Sequence, residues 1–232
     1  MVVMPAILVL SYLVGSIPFG YVIVRLTKHV DVRDYGSKSV GAINVFRVGG
    51  AVLGLTTILL DGAKGLVMVL LTAKLAPGMD WAVAGAGFLV LIGHAYSIWM
   101  LLKEGRFSEG KSIASGFFVI VAFAVLGAVP WQVPVGSLAV WGLYLLAPRL
   151  VAGKWWSVSP ATIATVLATP FFFWLVDPHL KHPAYLAYSV GLMVLVLVRH
   201  KNNFLRLIAG EESKIGQKPK VEAPPVDPQG GS

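Results

Sequence analysis

The sequence predicts an all-α integral membrane protein of about seven transmembrane helices, with its N-terminus outside and its C-terminus in the cytoplasm. Three observations carry that expectation. Only 13% of the 232 residues are charged and 56% are hydrophobic, whereas soluble domains carry about 25% charged residues. Mean hydropathy is +0.77. The apolar residues gather in long runs, and the basic residues fill the short segments between them. So few charges cannot build a water-facing surface, so lipid must be the solvent for much of the chain.

A span needs roughly 20 mostly apolar residues. The first run, about 3–26, has no basic segment ahead of it and reaches full membrane length, which argues against a cleaved secretory signal. The second and third runs cover about 51–74 and 81–102. The fourth and fifth, about 113–130 and 132–149, are parted at Pro130 to Pro134, where proline removes a backbone donor. The sixth and seventh cover about 158–176 and 184–200. Residues 1–210 then form a single polytopic membrane domain. Residues 211–232, EESKIGQKPKVEAPPVDPQGGS, are polar and Pro/Gly-rich and are expected to form a disordered cytoplasmic tail. The runs share no internal repeat, and the absence of cysteine excludes disulfides and Cys-ligated metals.

Charge sets the orientation. One set of loops holds Lys28, Arg33, Lys38 and Arg47, then Lys103, Arg106 and Lys111, then Arg149 and Lys154, then Arg199, Lys201 and Arg206. The opposite set holds Lys74 and Lys181. Basic loops stay in the cytoplasm. The net charge of +8 therefore reports membrane topology and anionic ligands, and no nucleic acid is expected.

Three polar segments on that cytoplasmic face stand out: Arg33–Arg47, Lys103–Ser115 and Arg199–Arg206. In the first, Gly36, Gly41, Gly49 and Gly50 permit tight turns that can expose backbone N–H groups to an anion. Arg33, Lys38, Arg47, Lys111 and Arg206 could add charge-assisted contacts to phosphate. In the second, EGRFSEGKSIAS feeds Gly110 and Lys111 into a helix start, a place that favours negative charge. The chemistry suggested is a phosphate pocket at the cytoplasmic interface, open sideways to lipid. Basic loops and glycines also occur in membrane proteins with no such pocket, so composition leaves both readings open.

Motifs sharpen the choice. GSIPFG (15–20) is followed by RDYGSKSVGAINVFR (33–47), LLDGAKG (59–65), GHAYSIW (93–99), SEGKSIAS (108–115) and RHKNNFLRLIAGEE (199–212). In this order, over most of the chain, they resemble the PlsY family, the membrane glycerol-3-phosphate acyltransferases of bacteria. The resemblance implies transfer of a fatty acyl group from acyl phosphate to the sn-1 hydroxyl of glycerol 3-phosphate, giving lysophosphatidic acid and phosphate. It also implies no metal or other cofactor, a multi-pass place in the bacterial inner membrane, and a site facing the cytoplasm. The implied partners are acyl phosphate, glycerol 3-phosphate and membrane lipid, with no obligate protein partner evident. An acyl phosphate is a mixed anhydride with an activated carbonyl, so positioning and electrostatics can do most of the work.

By motif match, Ser37, Lys111, His200 and Asn203 are the candidate catalytic residues. Gly36, Lys38, Gly41, Asn44, Arg47, Gly110 and Arg206 are the candidate substrate-binding residues. Ser37 contacts the donor phosphate or the carbonyl, or acts as a nucleophile although no neighbouring residue in the sequence marks its activation, or else only forms a turn. Asn44 orders its loop or donates to a substrate oxygen. Arg47 clamps phosphate or anchors the interface. Lys111 binds phosphate or snorkels at a helix start. His200 and Asn203 share a helix face, and His200 takes the hydroxyl proton or only binds, with a donor phosphate oxygen as the alternative base. Asp61 and Lys64, three apart within the second run, are expected to pair. His94 reads as a polar contact between helices. His29 and Asp34 form an H-x-x-x-x-D pattern of a different acyltransferase class, here attributed to chance.

The chain also departs from the family pattern. Lys38-Ser39 stand where Gly-Asn is usual, and Ile43 stands where Thr is usual. SEGKSIAS, with Ser108-Glu109, replaces KGGKGVAT. The alternative reading is a divergent non-catalytic or transporting membrane protein that binds phosphorylated lipids or small anions.

Overall fold

The computed structural model describes residues 3–105, 107, 110–152, 157–177, 179 and 181–212. Among them the chain is helical, with one 3-10 turn at Val32–Asp34 and no strand. The helices are α1 (Val3–Gly15), α2 (Phe19–Lys28), α3 (Ala42–Gly49), α4 (Ala51–Leu75), α5 (Asp80–Ala95), α6 (Ile98–Glu104), α7 (Ile113–Val125), α8 (Gln132–Ala152), α9 (Val158–Val176), α10 (Pro183–Arg199) and α11 (Lys201–Ile208).

The apolar runs become helices with breaks that composition alone does not place. The first run is α1 and α2, interrupted before Phe19, where Pro18 lacks a backbone donor. The third is α5 and α6, restarted at Ser97, whose hydroxyl accepts the Met100 N–H at 3.3 Å as an N-cap. Among the described residues, five stretches are long and apolar enough to cross a membrane, or six if α10 and α11, bent by 55°, make one span. α7 is the exception, with 13 residues, or about 20 Å of a roughly 30 Å hydrocarbon core. It ends early at Gly127, φ 70°, where the N–H groups of Gly127 and Ala128 reach back to Ala124 O and Phe123 O, each at 3.0 Å. That pairing is a Schellman stop.

α4 runs through the bundle between α3, α5 and α7, α1 lies on α5, α8 pairs with α9, and α10 bridges α5 and α9. Helices in lipid gain no hydrophobic force from one another, so packing and internal hydrogen bonds hold them. Phe123 of α7 packs on Tyr185 and Tyr188 of α10 with centroids 4.7 and 5.0 Å apart, and Tyr188 OH donates to Gly116 O at 3.1 Å. Val52, Leu55, Leu59 and Val67 on α4, with Val135, Leu143 and Leu146 on α8, stay exposed, as a lipid face requires.

Contacts between loops join the polar segments at one end. Arg33 meets Glu104 at 3.2 Å, Arg199 Nε donates to Gly110 O at 3.1 Å, and Ser159 Oγ donates to Glu212 at 2.7 Å. A separate cluster ties α5 to α10: His182 Nδ1 lies 2.8 Å from Asp80, and Tyr185 OH donates to Asp80 at 2.9 Å.

Candidate active site

The first loop is built around one buried side chain. Asn44, 1% exposed at the start of α3, accepts the Ser37 N–H at 2.9 Å. Its Nδ2 donates toward Val32 O at 2.8 Å, Ser39 O at 2.9 Å and Tyr35 O at 3.0 Å. Both ends of the amide are thus committed to backbone, and of its two expected roles the geometry displays loop ordering. Gly36 has φ 60°, and a Cβ there would strike Asn44 Oδ1. Lys38 also takes a left-handed backbone, φ 57°, at a position where the resembled pattern carries glycine.

The second loop enters α7 in a similar way. A Cβ on Gly110 would strike His94 O and lie 3.0 Å from His94 Nε2, so only glycine lets the loop cross that histidine. Ser112 has φ 58°, again where the pattern has glycine, and its hydroxyl donates to Leu91 O at 2.8 Å. Arg106, Ser108 and Glu109 lie outside the described residues.

The third segment is the bend between α10 and α11. His200 lies at the bend, and its Nδ1 is 2.8 Å from Val196 O. A carbonyl only accepts, so Nδ1 carries the proton and Nε2 has a free lone pair. Asn203 Nδ2 donates to Ser159 Oγ at 3.1 Å and to Glu212 Oε1 at 2.7 Å, and Arg206 Nε donates to Glu212 Oε2 at 2.9 Å. Composition places Glu212 in the tail, yet its side chain is 8% exposed. Burial raises the Glu212 carboxyl pKa, while hydrogen bonds from Ser159, Asn203 and Arg206 and the Arg206 charge lower it further, so the net value falls below the ordinary range. Its position at the end of the RHKNNFLRLIAGEE motif was the available sequence signal. The remaining tail, 213–232, lies outside the described residues.

All three segments line one cavity of about 620 Å³. Gly36, Ser37, Lys38, Gly41, Asn44, Arg47, Lys111, His200, Asn203 and Arg206 are at its wall, and Gly110 is buried behind it. Phe117, Phe118, Ile120, Leu138, Trp141 and Leu192 supply an apolar portion. The Arg47 guanidinium makes no hydrogen bond or ion pair with a described residue; burial lowers its pKa, Glu212 opposes that and Arg206 adds to it. Sequence reasoning missed Glu212, Ser157 and Ser159 at this wall. It also counted Arg33 among the phosphate cations, which the structure corrects: Arg33 lies off the cavity, bound to Asp31 at 2.9 Å through Nε and to Glu104. The expected Asp61–Lys64 pair is formed at 2.8 Å. His29 and Asp34 do not line the cavity.

Comparison with known proteins places this arrangement. A family model described as glycerol-3-phosphate acyltransferase matches residues 5–210. The glycerol-3-phosphate acyltransferase of Caulobacter vibrioides is 36% identical over 217 residues, covering 93% of this chain and 90% of that protein. That of Gloeobacter violaceus is 36% identical over 211 residues, covering 89% and 92%. The crystal structure of PlsY (YgiH), an integral membrane glycerol 3-phosphate acyltransferase, in its glycerol 3-phosphate form is similar with a TM-score of 0.77 at 31% identity, covering 92% of this chain and 96% of that one. Its lysophosphatidic acid form gives 0.73 at 30% identity, covering 92% and 95%.

Proposed function

This chain belongs to the glycerol-3-phosphate acyltransferase family, and from that premise we propose that it transfers a fatty acyl group from acyl phosphate to the sn-1 hydroxyl of glycerol 3-phosphate. The observation that carries the reading is the single cavity lined by three polar segments far apart in sequence, cationic in one part and apolar in another. Arg47 and Lys111 suit phosphate oxygens, and the Phe117–Phe118 wall suits the head of an acyl chain whose remainder lies in lipid. The hydroxyl oxygen bonds to the carbonyl carbon, the bond from that carbon to the phosphate oxygen breaks, and inorganic phosphate leaves. The bare Nε2 of His200 is placed to take the hydroxyl proton; the departing phosphate is the other acceptor. Ser37, with its N–H fixed by Asn44, borders the same space and orients the donor. Purified protein given palmitoyl phosphate and glycerol 3-phosphate should release phosphate and lysophosphatidic acid in equal amounts. Uptake of labelled substrate into vesicles without product would overturn this.

The same reading includes the placement: a bacterial inner membrane, about seven crossings, N-terminus outside and the cavity open to the cytoplasm. Support comes from the basic loops and the cavity sharing one end of the bundle. The chain has no cysteine, so single Lys28→Cys and Lys181→Cys variants report sidedness directly. An impermeant maleimide should label position 181 in intact spheroplasts and position 28 only after lysis; the reverse pattern would overturn the orientation.

A further inference from the structure

His94 sits near the end of α5 against a buried charge pair in α4. The Lys64 ammonium has three N–H bonds and nothing with which to accept. Three acceptors surround it: Asp61 Oδ1 at 2.8 Å, Ile17 O at 3.1 Å and His94 Nδ1 at 2.8 Å. Nδ1 is therefore the accepting nitrogen, and the ring proton is on Nε2. His94 lines the cavity, and its side chain is 6% exposed. Its Nε2–H meets no acceptor among the described residues. The Cδ2–Nε2 edge lies against Gly110, the residue before Lys111. A buried donor left without a partner carries a desolvation cost that a ligand oxygen would remove.

We propose that His94 is a further substrate-contacting residue of the acyl transfer, donating its Nε2–H to a phosphate oxygen of a substrate beside Lys111, with Lys64 and Asp61 as positioning residues that hold the ring in this tautomer. The inference rests on the acyltransferase reading for the identity of the anion. Asp61 pairs with Lys64 at 2.8 Å, Lys64 occupies Nδ1, and the ring is left able only to donate. His200 presents the opposite face, its Nδ1 proton given to Val196 O and its Nε2 bare. The site thus holds two imidazoles of opposite sense, one for a phosphate oxygen and one for a hydroxyl proton. The phosphate could be that of glycerol 3-phosphate or of the acyl donor, and the two are separable by titration.

The test uses the full chain in lipid nanodiscs with ¹⁵N-labelled histidine, His94 being assigned by loss of its signals in His94→Gln. A bare Nδ1 and a protonated Nε2 are expected, with the Nε2–H signal moving on saturation with glycerol 3-phosphate or with a non-hydrolysable acyl phosphonate. The responding arm identifies the source of the phosphate. His94→Asn, which lacks a donor at that reach, should lose about tenfold or more in kcat/KM for the responding substrate, while His94→Gln, whose amide reaches the Nε2 position, should recover to within about threefold of the parent. A proton on Nδ1, an unmoved signal with both probes, or equal losses in Asn and Gln would overturn the proposal. The titration needs no turnover, so a parent chain that binds anion at His94 but forms no product would overturn the acyltransferase reading alone.

Discussion

Across the first polar loop, the Asn44 side-chain oxygen accepts the Ser37 backbone N–H at 2.9 Å, and this bond sets where Ser37 faces the cavity. The other end of the same amide gathers three carbonyls.

Asn44→Asp should therefore be worse than its small size change suggests. It keeps the Ser37 bond but turns the donating end into an acceptor facing Val32 O, Tyr35 O and Ser39 O. Leaving buried carbonyls unpaired costs about 1–3 kcal/mol each. The expected outcome is loss of turnover with a lowered melting temperature, read by thermal unfolding in detergent beside the activity assay. A variant of parental stability and activity would show that the loop has another support.

Arg47→Ala should separate binding from folding. The guanidinium has no hydrogen-bonded partner among the described residues, so its removal strands nothing. Hydrogen bonds to charged groups contribute about 1.5–3 kcal/mol, so KM for an anionic substrate should rise about 10–100-fold at an unchanged melting temperature. Arg47→Lys should recover only part, because an ammonium cannot make the paired contact of a guanidinium. A drop in stability with unaltered KM would assign Arg47 to the scaffold instead.

Glu212 gives the fold an acid limit. Its folded pKa is depressed, so its contribution is fully present above the ordinary glutamate value of 4.5 and is lost as pH falls through the folded value. Glu212→Gln should lower the melting temperature at neutral pH, and the gap to the parent should close under acid conditions. A gap that persists unchanged into acid would show that charge at Glu212 is not what ties Ser159, Asn203 and Arg206 together.

Two non-glycine residues in left-handed turns should respond differently to glycine. A side chain there costs roughly 1–2 kcal/mol, offset in part by the entropy that glycine loses on folding. The Lys38 side chain is exposed and makes no hydrogen bond to a described residue, and its backbone N–H bond to Tyr35 O at 3.1 Å survives substitution, so Lys38→Gly should stabilise by about 0.5–1 kcal/mol. Ser112→Gly gains similar relief but loses the bond to Leu91 O, a contribution of about 1 kcal/mol, and should come out near neutral. Equal responses in chemical unfolding would argue against this accounting.

The sequence by itself determined the class of protein. Apolar runs of membrane length leave the backbone no option but the helix, because lipid offers no hydrogen bonds. It also marked the three polar segments, since a charge or glycine cluster between such runs is conspicuous, and the Asp61–Lys64 pair, since residues three apart share a helix face. Only tertiary structure decided the rest. The early end of α7 depends on the turn at Gly127. The release of Arg33 from the site depends on Glu104, 71 positions away in a helix that the sequence does not delimit. Glu212 entered the cavity because Ser159, Asn203 and Arg206 converge on one carboxylate, although its neighbours in sequence read as tail. The direction of each imidazole proton was fixed in the same way, by a donor at the His94 ring, Lys64, and an acceptor at the His200 ring, Val196 O, both placed by folding. Periodicity is local and survives in the sequence, whereas a hydrogen bond between distant segments has no local trace.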